Sequence, residues 1–369
     1  MSVALPLLYV GTYSEPIRFA SGKVLEGGGR GIHVLRLDAG AGTLTEAAAA
    51  APARNPSYLT FDPARRFLYA VNEMKEHDGA FGGGASAFAL DAATGSLAHL
   101  NTVATHGTDP CHLAVDRSGR NLVVANYSSG HVTVLPIRAD GSLGAATQVI
   151  AHAGSSLDPV RQTGPHVHHI AVDAAGARVY ATDLGLDRIV AYRLDAASGT
   201  LAPDDPPFTQ LLPGAGPRQL VLDAGGGRAY VLNELGSSVT AHAYDARTGR
   251  LVPRRTVSTL PGGFSGRNTC AEMRVAPSGR FLYASNRGHD SVAIFAIAPG
   301  SGDLSPLGHV ATGGATPRCF DLARSGDFLA AANQDSGTVV LFKVDIQTGA
   351  LTPTGSVAPV GTPVCVRFL

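Results

Sequence analysis

Seven copies of one short pattern run along the chain, and they restrict its fold more than any other feature. Phe67-Leu68-Tyr69-Ala70-Val71-Asn72 is matched by Asn121-Leu122-Val123-Val124-Ala125-Asn126, Arg178-Val179-Tyr180-Ala181-Thr182-Asp183 and Arg228-Ala229-Tyr230-Val231-Leu232-Asn233. Phe281-Leu282-Tyr283-Ala284-Ser285-Asn286 and Phe328-Leu329-Ala330-Ala331-Ala332-Asn333 follow, and Leu8-Tyr9-Val10-Gly11-Thr12 is a more degenerate seventh copy. The closing polar residue falls at 12, 72, 126, 183, 233, 286 and 333, so the copies recur every 47 to 60 residues. A recurrence of that length is the signature of a repeat architecture.

Each unit is punctuated alike. Sixteen residues before the closing residue stands an anchor, in turn Pro56, Pro110, Val167, Pro217, Cys270 and Pro317. It opens an alternating run such as Cys111 to Asp116, followed by a turn, the Leu-Tyr run, a polar turn and a third run such as His131 to Ile137. A D-x-x-T-G-x-L turn often comes next, as at Asp91 to Leu97. Runs of period two separated by Gly, Asp and Asn turns read as strands and hairpins. Alanine is plentiful, but no apolar 3.6-residue period lasts the ten or so residues a helix needs. Four strands per unit predict an all-β, seven-bladed β-propeller with four-stranded antiparallel blades. The chain begins on a second-strand pattern and ends on a lone first-strand pattern, Pro363 to Leu369. The two ends should therefore share one blade and leave no open sheet edge.

Composition removes several function classes. At roughly 150 residues per domain the length would suggest two or three domains, whereas the repeat predicts one domain over 1–369. With 29 Lys+Arg against 29 Asp+Glu, there is no basic excess for a nucleic-acid or membrane-surface partner. No apolar stretch approaches the ~18 residues of a membrane helix. The Met1 to Val10 run lacks a basic leader and reads as a strand rather than a signal peptide. Four cysteines are too sparse for a disulfide framework and read as small buried fillers. The expectation is a soluble cytoplasmic protein, monomeric or weakly dimeric. The Gly27–Gly29 and Gly82–Gly84 runs read as loop turns, since no helix follows either to bind an anion.

The propeller prediction also says where chemistry should gather. First strands line the central channel, and the turn entering them opens on the same end as the turn leaving the second strand. Residues just after each anchor and just after each closing residue should converge on one mouth. Those positions hold Tyr58, Cys111, His112, His168, His169, Arg218, Gln219, Glu272 and Arg318, then Glu73, Tyr127, Glu234, Arg287 and Gln334. His, Arg and Glu are thus concentrated in a chain with only 16% charged residues. The repeated Asn or Asp reads as a turn cap. A purely structural account of the charges is salt bridging between blades. Arg218, Arg274, Arg287 and Arg318 suit a carboxylate or phosphate, which guanidinium binds bidentately. His166 and His168 alternate on a strand, but no zinc-ligand spacing completes a site, so neither metal nor cofactor is expected.

Asp158-Pro159-Val160-Arg161-Gln162 leading to Pro165-His166-Val167-His168, with Gly216-Pro217-Arg218 and Asn233-Glu234-Leu235, carry a further signal. Together with the Leu-Tyr-x-x-Asn blades they resemble the seven-bladed propeller lactonase family, which includes bacterial 6-phosphogluconolactonases and the fungal carboxy-muconate lactonizing enzyme. The resemblance spans nearly the whole chain. It implies a hydrolase of carbohydrate metabolism, in the pentose phosphate pathway, that opens a small anionic sugar lactone. The fungal branch implies catalytic roles for Arg218, Glu234 and His168, with a further Arg at Arg274 or Arg287. Arg161-Gln162 resembles a signature of the bacterial branch. His112, His166, Glu272 and Arg318 complete the expected substrate contacts. Glu234 or His168 would activate water, and the arginines would stabilise the oxyanion. A muconate-type cycloisomerase using the same residues and a non-enzymatic scaffold are the alternatives, because fold alone does not specify activity.

Overall fold

The structure, a computed structural model, describes residues 6–18, 22–77, 79–223 and 225–369. Seven four-stranded antiparallel sheets follow one another along the chain. Residues 1–5 of the N-terminal run lie outside the described residues, and its remainder forms the strand Leu7–Thr12. That strand pairs on one side with Ile32–Asp38 and on the other with the C-terminal strand Pro363–Phe368, Leu8 opposite Phe368 and Val10 opposite Val366. The termini therefore share blade 1, as expected. Inner strands contact one another in cyclic order, ending with Pro363–Phe368 against Leu59–Phe61 of blade 2. The sheet edge near the axis is covered all the way round. Two short hairpins, Ile17–Arg18 with Val24–Leu25 and Glu76–His77 with Ala80–Phe81, extend the turns of blades 1 and 2.

The second strand of each blade is buried along its length because both faces of the sheet are covered by neighbouring blades. Leu8, Leu68, Leu122, Leu282 and Leu329 are fully buried there, each contributing about 1.5–3 kcal/mol of burial. The tyrosine of the repeat crosses between blades. Tyr9 donates its hydroxyl to the Gly95 carbonyl (2.9 Å), Tyr180 to Gly249 (2.9 Å), Tyr230 to Gly302 (3.0 Å) and Tyr283 to Gly349 (2.9 Å). Each acceptor is the turn glycine of the following blade's outer hairpin. The two most recognisable parts of the repeat, Leu-Tyr and T-G, are thus the two halves of one inter-blade bond. Gly302 has φ of 74°, and a Cβ there would stand 2.5 Å from Arg228 Cδ, so the turn needs glycine for conformation and for space.

The closing Asn and Asp residues bond to backbone. Asn286 donates to the Thr259 carbonyl (2.7 Å) and Asn333 to the Thr312 carbonyl (3.1 Å). The Asp183 carboxylate accepts from the amides of His166 (2.8 Å) and Gly185 (3.0 Å). These bonds fix the loops at the mouth, a step closer to function than capping a single turn.

If the tyrosine hydroxyls staple the blades, Tyr230→Phe should cost about 1–2 kcal/mol, because the Gly302 carbonyl loses its buried donor while the ring packing stays. Urea unfolding would measure it, and a change within error of zero would remove the staple from the account.

Candidate functional site

One irregularity recurs at the entrance of the inner strands. In blade 3, Pro110 pairs with Asn126 but His112 pairs with Ala125, leaving Cys111 outside the ladder. The same bulge frees His168, Arg218 and Arg318 in blades 4, 5 and 7, and two residues, Ala271 and Glu272, in blade 6. A bulge re-aims the extra side chain, and here it turns Cys111, His168, Arg218 and Arg318 into a pocket at the channel mouth. The residue after the closing Asn adds Glu73, Tyr127, Glu234, Arg287 and Gln334 in five blades, and Arg161 joins them from a loop. The pocket has a volume of ≈ 250 Å³. Arg18, Lys23 and Asp335 stand at its rim, with Lys23 3.3 Å from Asp335.

Charge is concentrated around Glu234, which is only 3% exposed. Its Oε1 accepts from Arg161 Nη2 at 2.7 Å, and its Oε2 accepts from Arg218 Nη1 at 2.9 Å and lies 3.0 Å from Arg287 Nη2. Burial alone would raise the Glu234 pKa, but Arg287, Arg161 and Arg218 outweigh it and hold the carboxyl well below its usual range. Burial lowers Arg287 to about 10 despite Glu234, with Arg218, Arg318 and Arg161 adding to the depression; it stays charged at neutral pH. Arg218 also donates to His168 Nε2 and to the Ala271 carbonyl. His168 is pushed well below its normal pKa, first by burial and then by Arg218, so the ring is neutral. Its Nδ1 lies 3.6 Å from Cys111 Sγ. The cluster thus presents three cations on one anion, a net positive, water-poor surface suited to a developing oxyanion or a carboxylate.

Three blades away round the ring, Glu73 accepts from the Tyr13 hydroxyl at 2.9 Å and faces Arg318 Nη2 at 3.8 Å. Asp109, on the same side, is paired with Lys75.

Not every residue singled out from sequence reaches the pocket. Glu234, His168, Arg218, Arg161, Arg287 and Arg318 line it. Gln162 is fully buried and locks the Arg161 loop, donating to the Leu184 carbonyl (2.8 Å) and accepting from the Asp158 amide (2.9 Å). That loop lies close over Gly185, where a Cβ would stand 1.9 Å from the Gly164 carbonyl oxygen. His166 stacks on Tyr127 (centroids 4.5 Å apart, planes at 11°) and donates from Nδ1 to its carbonyl at 3.0 Å. Both residues position their neighbours and stand off the pocket wall. His112 lies one layer deeper, between the rings of Tyr58 (4.2 Å) and His169 (3.8 Å). Glu272 accepts from Gln219 at 2.8 Å and pairs with Arg274, which donates to Asp321 at 3.0 Å. Arg274 is therefore a channel residue held by two carboxylates, and of the two arginines left open by the resemblance only Arg287 lines the pocket.

Glu73 and Tyr127 reach the mouth as the repeat predicts, though no role was assigned to them there, and Tyr13, which the sequence reading did not name, holds the same place after the closing Thr12. Tyr127 accepts from Arg161 Nη2 at 3.0 Å. Among the described residues no group of three or more His, Cys, Asp or Glu is placed to hold a metal ion.

Residues 7–368 match the family model for "Lactonase, 7-bladed beta-propeller". The chain is 36% identical over 312 residues to a 6-phosphogluconolactonase of Bacillus subtilis, covering 85% of this chain and 83% of that one. It is 30% identical over 298 residues to a 6-phosphogluconolactonase of Formosa agariphila, covering 79% and 82%. The solved periplasmic gluconolactonase of Pseudomonas aeruginosa superposes with a TM-score of 0.91 at 36% identity, covering 99% of each chain.

The Glu234 cluster makes stability depend on pH in a definite direction. A carboxyl depressed by folding contributes fully above its unfolded pKa and loses that contribution as pH falls toward the folded value. Wild type should therefore lose more stability than Glu234→Gln between about pH 6 and about pH 3.5. At neutral pH the variant should be about 3–5 kcal/mol less stable, because three buried guanidiniums lose their counter-charge. Parallel pH slopes in urea titrations of the two proteins would contradict this.

Proposed function

The chain belongs to the seven-bladed β-propeller lactonase family, and from that premise we propose that it is a hydrolase opening the ring of a sugar-acid lactone of the 6-phosphogluconolactonase type. The observation that carries this reading is the convergence of Arg161, Arg218 and Arg287 on Glu234 inside the mouth pocket. Lactone hydrolysis places negative charge on the carbonyl oxygen as water adds. Preorganised cationic donors in a buried site stabilise that charge without reorganising.

In this reading Glu234 is the fixed anion that keeps three like charges together. Its depressed pKa makes it a weak base. His168 supports the same cluster, since its neutral Nε2 accepts from Arg218 and leaves that guanidinium's other N–H groups to the substrate. Arg161, steadied by Tyr127 and its Gln162-locked loop, orients the sugar. Arg18 and Lys23 at the rim favour an anionic group at the far end of the ligand. All four cysteines are buried free thiols, which supports the cytoplasmic setting we assign.

A panel of phosphorylated and unphosphorylated aldonolactones and carboxy-muconates, each with and without chelator, tests the proposal. A sugar-acid lactone should be hydrolysed at a rate that chelation leaves unchanged. Arg218→Lys, which keeps the charge but loses the fork of donors, should lower kcat by about 10²-fold or more. Turnover of muconates alone would replace hydrolysis by cycloisomerisation, and turnover of none would leave a binding scaffold.

A further inference from the structure

Opening a lactone requires a group that takes a proton from water and gives one to the departing ring oxygen. Among the described residues four carboxylates and one imidazole line the pocket, and their partners differ sharply. Glu234 is saturated by three guanidiniums. Asp109 is paired with Lys75. Asp335 accepts from Lys23 (3.3 Å), Thr316 (3.0 Å) and Gln334 (2.7 Å). His168 has its Nε2 occupied by Arg218. Glu73 meets only neutral hydroxyls at close range, Tyr13 donating at 2.9 Å with Ser57 beside it, and its guanidinium neighbour Arg318 stays at 3.8 Å.

We infer that Glu73 is the proton-transfer residue of this pocket, acting across it from the arginine cluster. The inference rests on the lactonase reading above. One carboxylate oxygen of Glu73 takes a proton from water as the water oxygen bonds to the lactone carbonyl carbon. The carbonyl π pair moves onto its oxygen, facing Arg218 and Arg287. When the tetrahedral species collapses, the carbonyl re-forms and the bond from carbon to ring oxygen breaks. Glu73 then returns its proton to that oxygen. One water is consumed, one hydroxy acid is formed, and Glu73 ends as it began.

The surroundings raise the proton affinity of Glu73. Glu73 is 6% exposed, and burial raises its pKa, with Asp109 adding to the rise and Arg318, Ser57 and Tyr13 opposing it. Cys111 is the other titratable neighbour, and its own thiol is pushed well up by burial and by Glu73, so it stays protonated. Glu73 is thus displaced upward while Glu234 is displaced downward, the kind of separation that distinguishes a proton carrier from a fixed charge.

The test is the pH profile of purified protein on whichever sugar lactone it hydrolyses. Glu73→Gln should lower kcat by about 10²-fold or more and abolish the acid limb of kcat/KM. It should still bind the hydroxy-acid product, as calorimetry would show. Tyr13→Phe should keep most of the activity while moving the acid limb to higher pH, because the carboxylate loses a donor that favours its ionised form. Should Glu73→Gln fail to fold, the Tyr13→Phe profile decides alone. Near-normal kcat with an intact acid limb in Glu73→Gln, or an unmoved limb in Tyr13→Phe, overturns the inference. A wild type that hydrolyses no lactone instead sinks the reaction itself, and this would be seen before any variant is compared.

Discussion

A four-stranded blade has two apolar faces and can cover neither by itself, so every blade depends on its neighbours and the circle must close. Closure here is a backbone ladder between Leu7–Thr12 and Pro363–Phe368, reinforced by the Tyr-to-Gly bonds that tie successive blades. Because the ladder joins the two ends of the chain, blade 1 is complete only when the C-terminal strand is in place. Much of the stabilising area therefore lies between blades, and the tyrosines that mark the repeat do their work there.

The axis of the ring shows the opposite chemistry. Below the pocket, Tyr58, His112, His169, Gln219, Glu272, Arg274 and Asp321 form a second polar layer of stacked rings, hydrogen bonds and ion pairs. Buried ion pairs return little net stability once desolvation is counted, so the channel is not what holds the ring together. Held by apolar contacts elsewhere, the ring can keep several guanidiniums out of water and close to one another. That arrangement is the preorganisation a developing oxyanion requires.

The depth of each residue along the axis separates the pocket from this lower layer. The resemblance left Arg287 and Arg274 both open, although only Arg287 directly follows a closing residue of the repeat, Asn286. By strand pairing too, Arg287 follows the closing Asn286 and stays at the mouth, while beyond the bulge at Ala271–Glu272 Arg274 stands opposite Tyr283, well inside the channel. A bulge is one extra residue in a period-two pattern and leaves no mark in composition. What the ladder adds is the depth of Arg274 and the two carboxylates that hold it there. His112 sits below the pocket for the same reason, one step beyond the bulged Cys111.

The repeat alone determined the number of blades, the place of closure and the end of the channel where polar residues meet, because all three follow from periodicity and from which strand pattern begins and ends the chain. It also determined that the residue after each closing Asn or Asp would face that end, which includes Glu234, Arg287, Tyr127 and Glu73. Only the tertiary structure decided how those groups share charge. Glu234 and Glu73 occupy the same position in two blades and look alike in sequence. One meets three guanidiniums, brought by a loop and two other strands, and the other meets a tyrosine and a more distant arginine. A carboxylate's proton affinity is set by the charges within a few ångströms of it, and in a ring those charges come from blades that are remote in the chain.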